Sequence, residues 1–260
     1  MKEKYILVLA ADSNYINQAK ALISSAVSQG KWKHDICIIT DGLSGDQIKE
    51  FSDKGIYIKE NAANLNNYYI KINIFSEYFK QWDKVLYVDC DILFSADINC
   101  LMDINLDFMC EKELQRGKGY PTGNYFNKPL DPQLYEKIDK EYDLNQDSFN
   151  SCCILYNTNI LKSGDKTFDD IAELKSELDL INTHNGGGGT DQPILNLYFQ
   201  NIWKEFPDSM VTYWQRECNT SLILHFTHWF APEKNNSRRG DRTIKQIHES
   251  NLSNFTKLSI

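Results

Sequence analysis

The stretch that decides the fold is Asp83–Phe94, DKVLYVDCDILF. Val85-Leu86-Tyr87-Val88 runs straight into two carboxylates, Asp89 and Asp91, with only Cys90 between them. A run this short and this apolar reads as a strand covered on both faces, as in a parallel sheet. Side chains two apart on an extended chain point the same way, so Asp89 and Asp91 are expected to converge on one point. Carboxylates held that close repel each other, and a divalent cation relieves the repulsion. The expectation is a metal site at the carboxyl end of a central strand. The competing reading is a pair of solvated acids in a strand-to-loop turn.

Outward from this stretch the chain alternates strand and helix. Tyr5–Ala10 (YILVLA) reads as a first strand, and Ile16–Ser28 as a helix with apolar residues at helical spacing, capped by Ser13 or Asn14. Asp35–Thr40 is a second strand, Ser44 caps a helix to about Ser52, and Gly55–Ile58 is a third strand. A helix over Tyr68–Phe79 then leads into the strand before Asp89. This order predicts an α/β fold with a mostly parallel central sheet flanked by helices, and ligands beyond the carboxyl ends of its strands. The loop after the first strand and the Asp-Cys-Asp turn both open onto that edge. Further on, a strand is expected near Leu106–Cys110, another over Phe149–Asn157 (FNSCCILYN), a helix over Thr167–Leu180, a helix from Thr190 to about Gln200 capped by Thr190, and a strand over Leu222–Phe226. Residues 112–147 resist division. One domain over residues 1–232 is preferred, followed by a polar, basic tail or terminal helix over 233–260.

Composition narrows the function classes. The 260 residues carry a net charge of −8, with 42% hydrophobic and 25% charged residues, as in an ordinary soluble domain. A net acidic chain with no basic stripe argues against nucleic acid as a partner. No segment approaches the ~18 apolar residues of a membrane span, and MKEKYILVLAADSNY has no small-residue cleavage site. The seven cysteines lack paired metal-type spacing; Cys37, Cys90, Cys152 and Cys153 sit in strand-like runs and read as buried thiols. These features set a cytoplasmic expectation. The tail after Glu233 is read as disordered by default, with contact to an anionic membrane or to an acceptor as the alternatives.

Several side chains could serve the Asp89–Asp91 site. His225 ends an apolar strand, where its imidazole could join the two carboxylates on a metal; such a set suits Mn²⁺ or Mg²⁺, the imidazole leaning it towards Mn²⁺. Asp12 and Asn14 could hydrogen-bond a base edge while Tyr15 stacks on it, or could simply start a helix. Lys71 could reach a carboxylate or phosphate. Gly186–Gly189 are no phosphate loop, since no Lys-Ser/Thr follows; they read as a loop whose backbone can lie close to a ligand.

Together these motifs resemble glycosyltransferase family 8, the family of glycogenin and the bacterial lipopolysaccharide galactosyltransferases, from about Tyr5 to Phe230. The resemblance implies a single GT-A (Rossmann-like) domain, a UDP-sugar donor and a retaining reaction. Through AADSNY it implies that Ala11, Asp12, Asn14 and Tyr15 hold the uridine. Through DKVLYVDCDIL it implies Asp89 and Asp91 as metal ligands with the Cys90 backbone near the ribose, and through HFTHW it implies His225 as the third ligand. Lys71 falls where the family carries a basic residue. FNSCCILYN implies Asn150 as a sugar contact, and TDQPILN implies Asp191 and Gln192 beside the anomeric carbon. The chain departs from the family where Cys152 replaces a glycine, and where His228 and Ala231 replace a glycine and a lysine; Lys234 is then the candidate for the phosphate-binding charge.

The implied activity is metal-dependent transfer of a hexose from a UDP-sugar to a saccharide, glycan or protein acceptor. Two rivals stand beside it. One is a non-catalytic nucleotide-sugar-binding domain on the same scaffold. The other is an aspartyl-phosphate phosphatase, whose Asp-x-Asp motif belongs on the first strand and is followed by Thr or Val where Leu93 stands here.

Overall fold

The computed structural model describes residues 3–62, 65, 67–115, 118–183, 190–207, 211–213, 223–225, 249–258 and 260. Its strands are β1 (Tyr5–Asp12), β2 (Asp35–Asp41), β3 (Tyr57–Glu60), β4 (Lys84–Val88), β5 (Ile92–Phe94), β6 (Phe108–Lys112), β7 (Leu114–Gln115), β8 (Lys118–Gly119), β9 (Phe149–Asn157), β10 (Lys204–Glu205), β11 (Val211–Tyr213) and β12 (Ile223–His225). The α-helices are α1 (Ile16–Ser28), α2 (Gly45–Ser52), α3 (Pro132–Glu141), α4 (Lys166–Leu178) and α5 (Asp191–Tyr198). Seven strands form the main sheet in the order β10-β6-β9-β4-β1-β2-β3. The expected α/β fold with a mostly parallel sheet flanked by helices is therefore observed. Contacts divide the chain into two compact units, Lys2–Asn61 with Leu86–Asn105 and Pro207–Ile260, and Ala62–Val85 with Leu106–Phe206.

In the first of these units β1 pairs in parallel with β2 from Ile6↔Asp35 to Asp12↔Asp41, and β2 with β3 from Cys37↔Tyr57 to Thr40↔Glu60. Ile6 to Leu9 and Ile36 to Ile39 are buried throughout, as strands covered on both faces require. Ser44 starts α2 with a full capping box, its side chain accepting from Gln47 N while the Gln47 side chain accepts from Ser44 N. Gly55, at φ +79°, closes the α2–β3 turn, a conformation that carries no Cβ penalty only for glycine. It sits where a strand was expected, so β3 begins two residues later, at Tyr57. Far along the chain, residues 249–255 are helical. Phe255 is fully buried and meets Phe51 edge-on at 5.4 Å. Lys54 donates to the Leu258 carbonyl at 3.1 Å, so this end of the chain is packed in place.

The second unit is built around the antiparallel pair β6–β9, with β10 parallel to β6. Its core is aromatic: Phe108 stacks on Phe199 at 4.3 Å, and Phe75, Phe149 and Tyr156 surround them. The helix expected over Tyr68–Phe79 is instead two 3₁₀ segments, Asn67–Phe75 and Glu77–Gln81. Two local causes stand out. Ile70, Ile72 and Ile74 are β-branched and stiff in an α-helix. Asn73 and Ser76 hydrogen-bond the backbone themselves, Asn73 Nδ2 to Ile70 O at 2.9 Å and Ser76 Oγ to Asn73 O at 2.9 Å, which competes with the helical ladder. Within residues 112–147 the chain makes the β7–β8 hairpin, a 3₁₀ turn at Thr122–Tyr125, and α3. Asp131 caps α3 by accepting from Gln133 N and Leu134 N, with Pro132 in the first turn.

Candidate functional site

The Asp-Cys-Asp motif does not continue the strand. β4 stops at Val88, and Ile92 N donates to Asp89 O at 3.1 Å, so Asp89–Ile92 is a tight turn leading into β5. The extended-chain expectation for Asp89 and Asp91 is thereby corrected: a turn presents them, not the two-residue period of a strand. Both are half-buried. Tyr87 Oη donates to Asp89 Oδ1 at 2.7 Å, and Cys90 Sγ donates to Ala10 O at 3.1 Å. The Cys90 contact holds the turn against the end of β1, where Asp12 lies. Burial pushes the Cys90 thiol well above its ordinary value, and the charges of Asp89, Asp91 and Asp12 push it further. The strand ends thus gather negative charge around a buried thiol.

Asp12 organises the start of α1. Its Oδ1 accepts from Asn14 N at 2.8 Å and Tyr15 N at 3.2 Å, and its Oδ2 from Asn14 Nδ2 at 3.3 Å. The expected caps, Ser13 or Asn14, are not used; Tyr15 is the N-cap residue and makes no side-chain cap. This turn leaves Tyr15 51% exposed while Ala11 is buried, so a flat ring stands at the end of β1. β12 runs antiparallel to β5 with His225 opposite Ile92, which puts the histidine's backbone one register step from Asp91. The His225 side chain lies outside the described residues, as do Lys234, His228, Ala231 and Gly186–Gly189.

Among the described residues no group of three or more His, Cys, Asp or Glu is arranged to hold a metal ion. Asp89 and Asp91 are the described carboxylates that could take part in holding one. Two half-buried carboxylates flank one residue of a turn, and Asp12 adds a third negative charge. Oxygen donors and surplus negative charge suit a hard divalent cation.

In the second unit the sugar-side candidates meet at a β-bulge. Cys110 pairs with Ile154, but the next residue, Glu111, pairs with Asn150. The intervening residues of β9, including Ser151, leave the β6 ladder, as bulges beside functional sites commonly do. Lys71 Nζ donates to Ser151 O at 3.0 Å and to Ser151 Oγ at 2.9 Å, and pairs with Asp191 Oδ2 at 3.2 Å. Ser151 Oγ donates to the same Asp191 oxygen at 2.9 Å, and Ser151 N donates to Gln192 Oε1 at 3.1 Å. Lys71 is therefore an internal cation, and Asp191 at the start of α5 is its partner. Thr190 makes no side-chain cap there, contrary to expectation; its carbonyl accepts from Asn182 Nδ2 at 3.0 Å.

Asn150 and Gln192 share a carboxylate that the sequence reading missed. Glu113 Oε2 accepts from Asn150 Nδ2 at 2.7 Å and from Gln192 Nε2 at 3.3 Å. Gln192 Nε2 also donates to Tyr125 Oη at 2.6 Å, and Tyr125 Oη is 3.2 Å from Ser148 Oγ. Asn150 Oδ1 accepts from Cys152 N at 2.9 Å. Ser151 was legible as part of FNSCC; Glu113, Tyr125 and Ser148 lie in or beside the stretch that had no readable period. A cavity of about 500 Å³ lined by Lys54, Gly55, Thr256 and Ile260 among others holds none of these residues.

Residues 6–234 match the family model described as glycosyl transferase family 8. The chain belongs to this family. No curated protein matches the sequence. Among solved structures, an active-site mutant of LgtC is 15% identical with a TM-score of 0.64, covering 94% of this chain and 95% of its own. The glycosyltransferase GlyE of Streptococcus pneumoniae TIGR4 is 16% identical with a TM-score of 0.67, over 98% of this chain and 63% of its own. The bifunctional WbbM is 15% identical with a TM-score of 0.64, and this chain spans 50% of its length. At such identities the likeness shows a shared fold, here the GT-A glycosyltransferase fold. An aspartyl-phosphate site would carry its motif on the first strand; here the motif follows β4.

Proposed function

We propose that this member of family 8 is a metal-dependent, retaining glycosyltransferase that moves a hexose from a UDP-sugar to a saccharide, glycan or protein acceptor. The observation that carries the reading is the Asp89–Ile92 turn, pinned by Cys90 to the end of β1 beside Asp12. Support also comes from LgtC, a neighbour in fold that was solved with donor and acceptor sugar analogues. In this reading Asp12 and Asn14 hold the uracil edge and the Tyr15 ring stacks on it. The Ala11 and Cys90 backbones line the ribose, and Lys234 is the candidate to supply positive charge for the diphosphate. Asp89, Asp91 and His225 would hold Mn²⁺ or Mg²⁺, which would stabilise the charge that develops on the diphosphate leaving group. Lys71 pairs with Asp191 and orients it. Asp191 offers negative charge to the electron-poor anomeric carbon, and Asn150 and Gln192 orient the sugar ring. The six described cysteines are free and all but Cys100 are buried, which fits a reducing compartment such as the cytoplasm.

The test is hydrolysis of a panel of UDP-sugars with and without Mn²⁺, in the wild type and in Asp91→Asn. The expected result is turnover with at least one donor, lost on chelation and reduced at least ~100-fold in Asp91→Asn, the size of a removed electrostatic contact to the leaving group. Equal turnover in all four arms would reject the metal role. UDP binding without any turnover would mark a nucleotide-sugar-binding domain.

A further inference from the structure

Gln192 carries an amide whose two ends are nearly equal in size but opposite in role, the oxygen accepting and the nitrogen donating, so its orientation is set by the surrounding donors and acceptors. Around it the direction of every hydrogen bond can be worked out. Ser148 Oγ donates to the Tyr120 carbonyl at 2.6 Å, and that bond uses the only hydrogen of the serine. Tyr125 Oη, 3.2 Å from Ser148 Oγ, must then be the donor to it. With its own hydrogen committed, Tyr125 can only accept from Gln192, at 2.6 Å. The bonds therefore run one way, from Gln192 Nε2 to Tyr125, to Ser148, to the Tyr120 carbonyl. Ser148 is fully buried and Tyr125 1% exposed, so water does not reverse the chain. The second hydrogen on Gln192 Nε2 meets Glu113 Oε2 at 3.3 Å, and a carboxylate can only accept. Two acceptor-only neighbours thus lock the amide nitrogen on one side.

The carbonyl end is fixed as a consequence. Gln192 Oε1 accepts from Ser151 N at 3.1 Å, and its other near neighbour, Ser151 Oγ at 3.5 Å, spends its hydrogen on Asp191. A carbonyl oxygen has two acceptor directions, so one lone pair remains for an electron-poor partner. We propose that Tyr125 and Glu113 are positioning residues that hold the Gln192 amide in this one orientation, with its carbonyl oxygen turned to the reacting sugar. The kinetic part of the inference rests on the glycosyl-transfer reading above; the orientation itself does not. Neither residue needs to touch the substrate. Their tasks are redundant, because either one alone disfavours a flipped amide: a flipped carbonyl would face a carboxylate, or a hydroxyl with no hydrogen to give.

Redundancy has a measurable signature. Residues that share one task act non-additively. Tyr125→Phe and Glu113→Gln should each lower kcat for UDP-sugar hydrolysis less than about fivefold. The double variant should fall about 100-fold, well beyond the product, with the donor KM changing less than about threefold, as expected for a reacting group moved out of place. Without any donor, the Gln192 side-chain N–H₂ signals in a ¹H–¹⁵N spectrum, assigned by their loss in Gln192→Glu, should shift modestly in each single variant. In the double variant they should move to exchange-averaged positions while the backbone spectrum is kept. Log effects on kcat that simply add would overturn the proposal, and so would Gln192 signals that stay put in the folded double variant. A wild type with the predicted amide behaviour but no hydrolysis would leave the orientation lock standing and remove the transferase reading.

Discussion

Lys71 offers the sharpest test of how the second unit is held together. Its ammonium lies 3.2 Å from Asp191 Oδ2 and donates to both oxygens of Ser151, and the two charged side chains are 9% and 12% exposed. Lys71→Met keeps the stem and deletes the charge. Removing one partner of a buried pair costs about 3–5 kcal/mol, because the other charge stays behind in a poor solvent. Here the stranded Asp191 keeps the 2.9 Å bond from Ser151 Oγ, which favours the lower end, about 3 kcal/mol. At ~2–4 °C per kcal/mol for a chain of this size, the melting temperature should fall by roughly 6–12 °C. Lys71→Met/Asp191→Asn should recover most of that loss, since no buried charge is then left alone. The assay is calorimetry together with urea unfolding followed by circular dichroism, run as a double-mutant cycle. A Lys71→Met protein that melts within ~2 °C of the wild type would refute the pairing argument. So would single losses that merely add in the double variant.

Three further outcomes follow from other parts of the molecule. Burial raises the Cys37 thiol from 9.0 to about 12; the unfolded thiol ionises first, so its stabilising contribution is complete below pH ~9 and is lost as pH rises towards 12. Unfolding free energies from urea titrations should change little from this thiol below pH 9 and fall by close to ~1.4 kcal/mol per unit between pH 10 and 11, and Cys37→Ala should flatten that fall. Phe255→Ala removes a fully buried ring from Phe51 and Lys54, which should cost about 3 kcal/mol and admit protease near residues 249–258. Tyr15→Ala, at a ring 51% exposed, should move the unfolding midpoint by less than ~0.5 kcal/mol. It should weaken UDP binding, measured by titration calorimetry, by the ~1–3 kcal/mol of a lost base stack; unchanged UDP affinity would remove Tyr15 from the nucleotide site.

What could be read from the chain, and what could not, divides along a physical line. The parallel strands were legible because YILVLA, DICIIT and KVLYV are unbroken apolar runs, and burial on both faces demands that pattern. Asp89 and Asp91 were legible as a pair because their spacing is local. Their geometry was not, since a turn and a strand of the same residues present them differently, and the choice was made by the Cys90 bond to Ala10, 80 residues away. The helix before β4 was misread because periodicity marks the apolar face and is blind to side chains that compete for the backbone, as Asn73 and Ser76 do. Asp191 and Gln192 stood out only through the resemblance of TDQPILN to the family motif. Glu113 did not, because its significance comes from two amides, Asn150 and Gln192, that reach it from other elements. The same holds for Tyr125 and Ser148. A hydroxyl's role here depends on where its single hydrogen goes, and that is decided by a carbonyl, Tyr120 O, that no side-chain pattern marks. Residues that touch a ligand tend to be chemically conspicuous one at a time. Residues that orient them are conspicuous only as a directed chain, and direction is a property of the folded state.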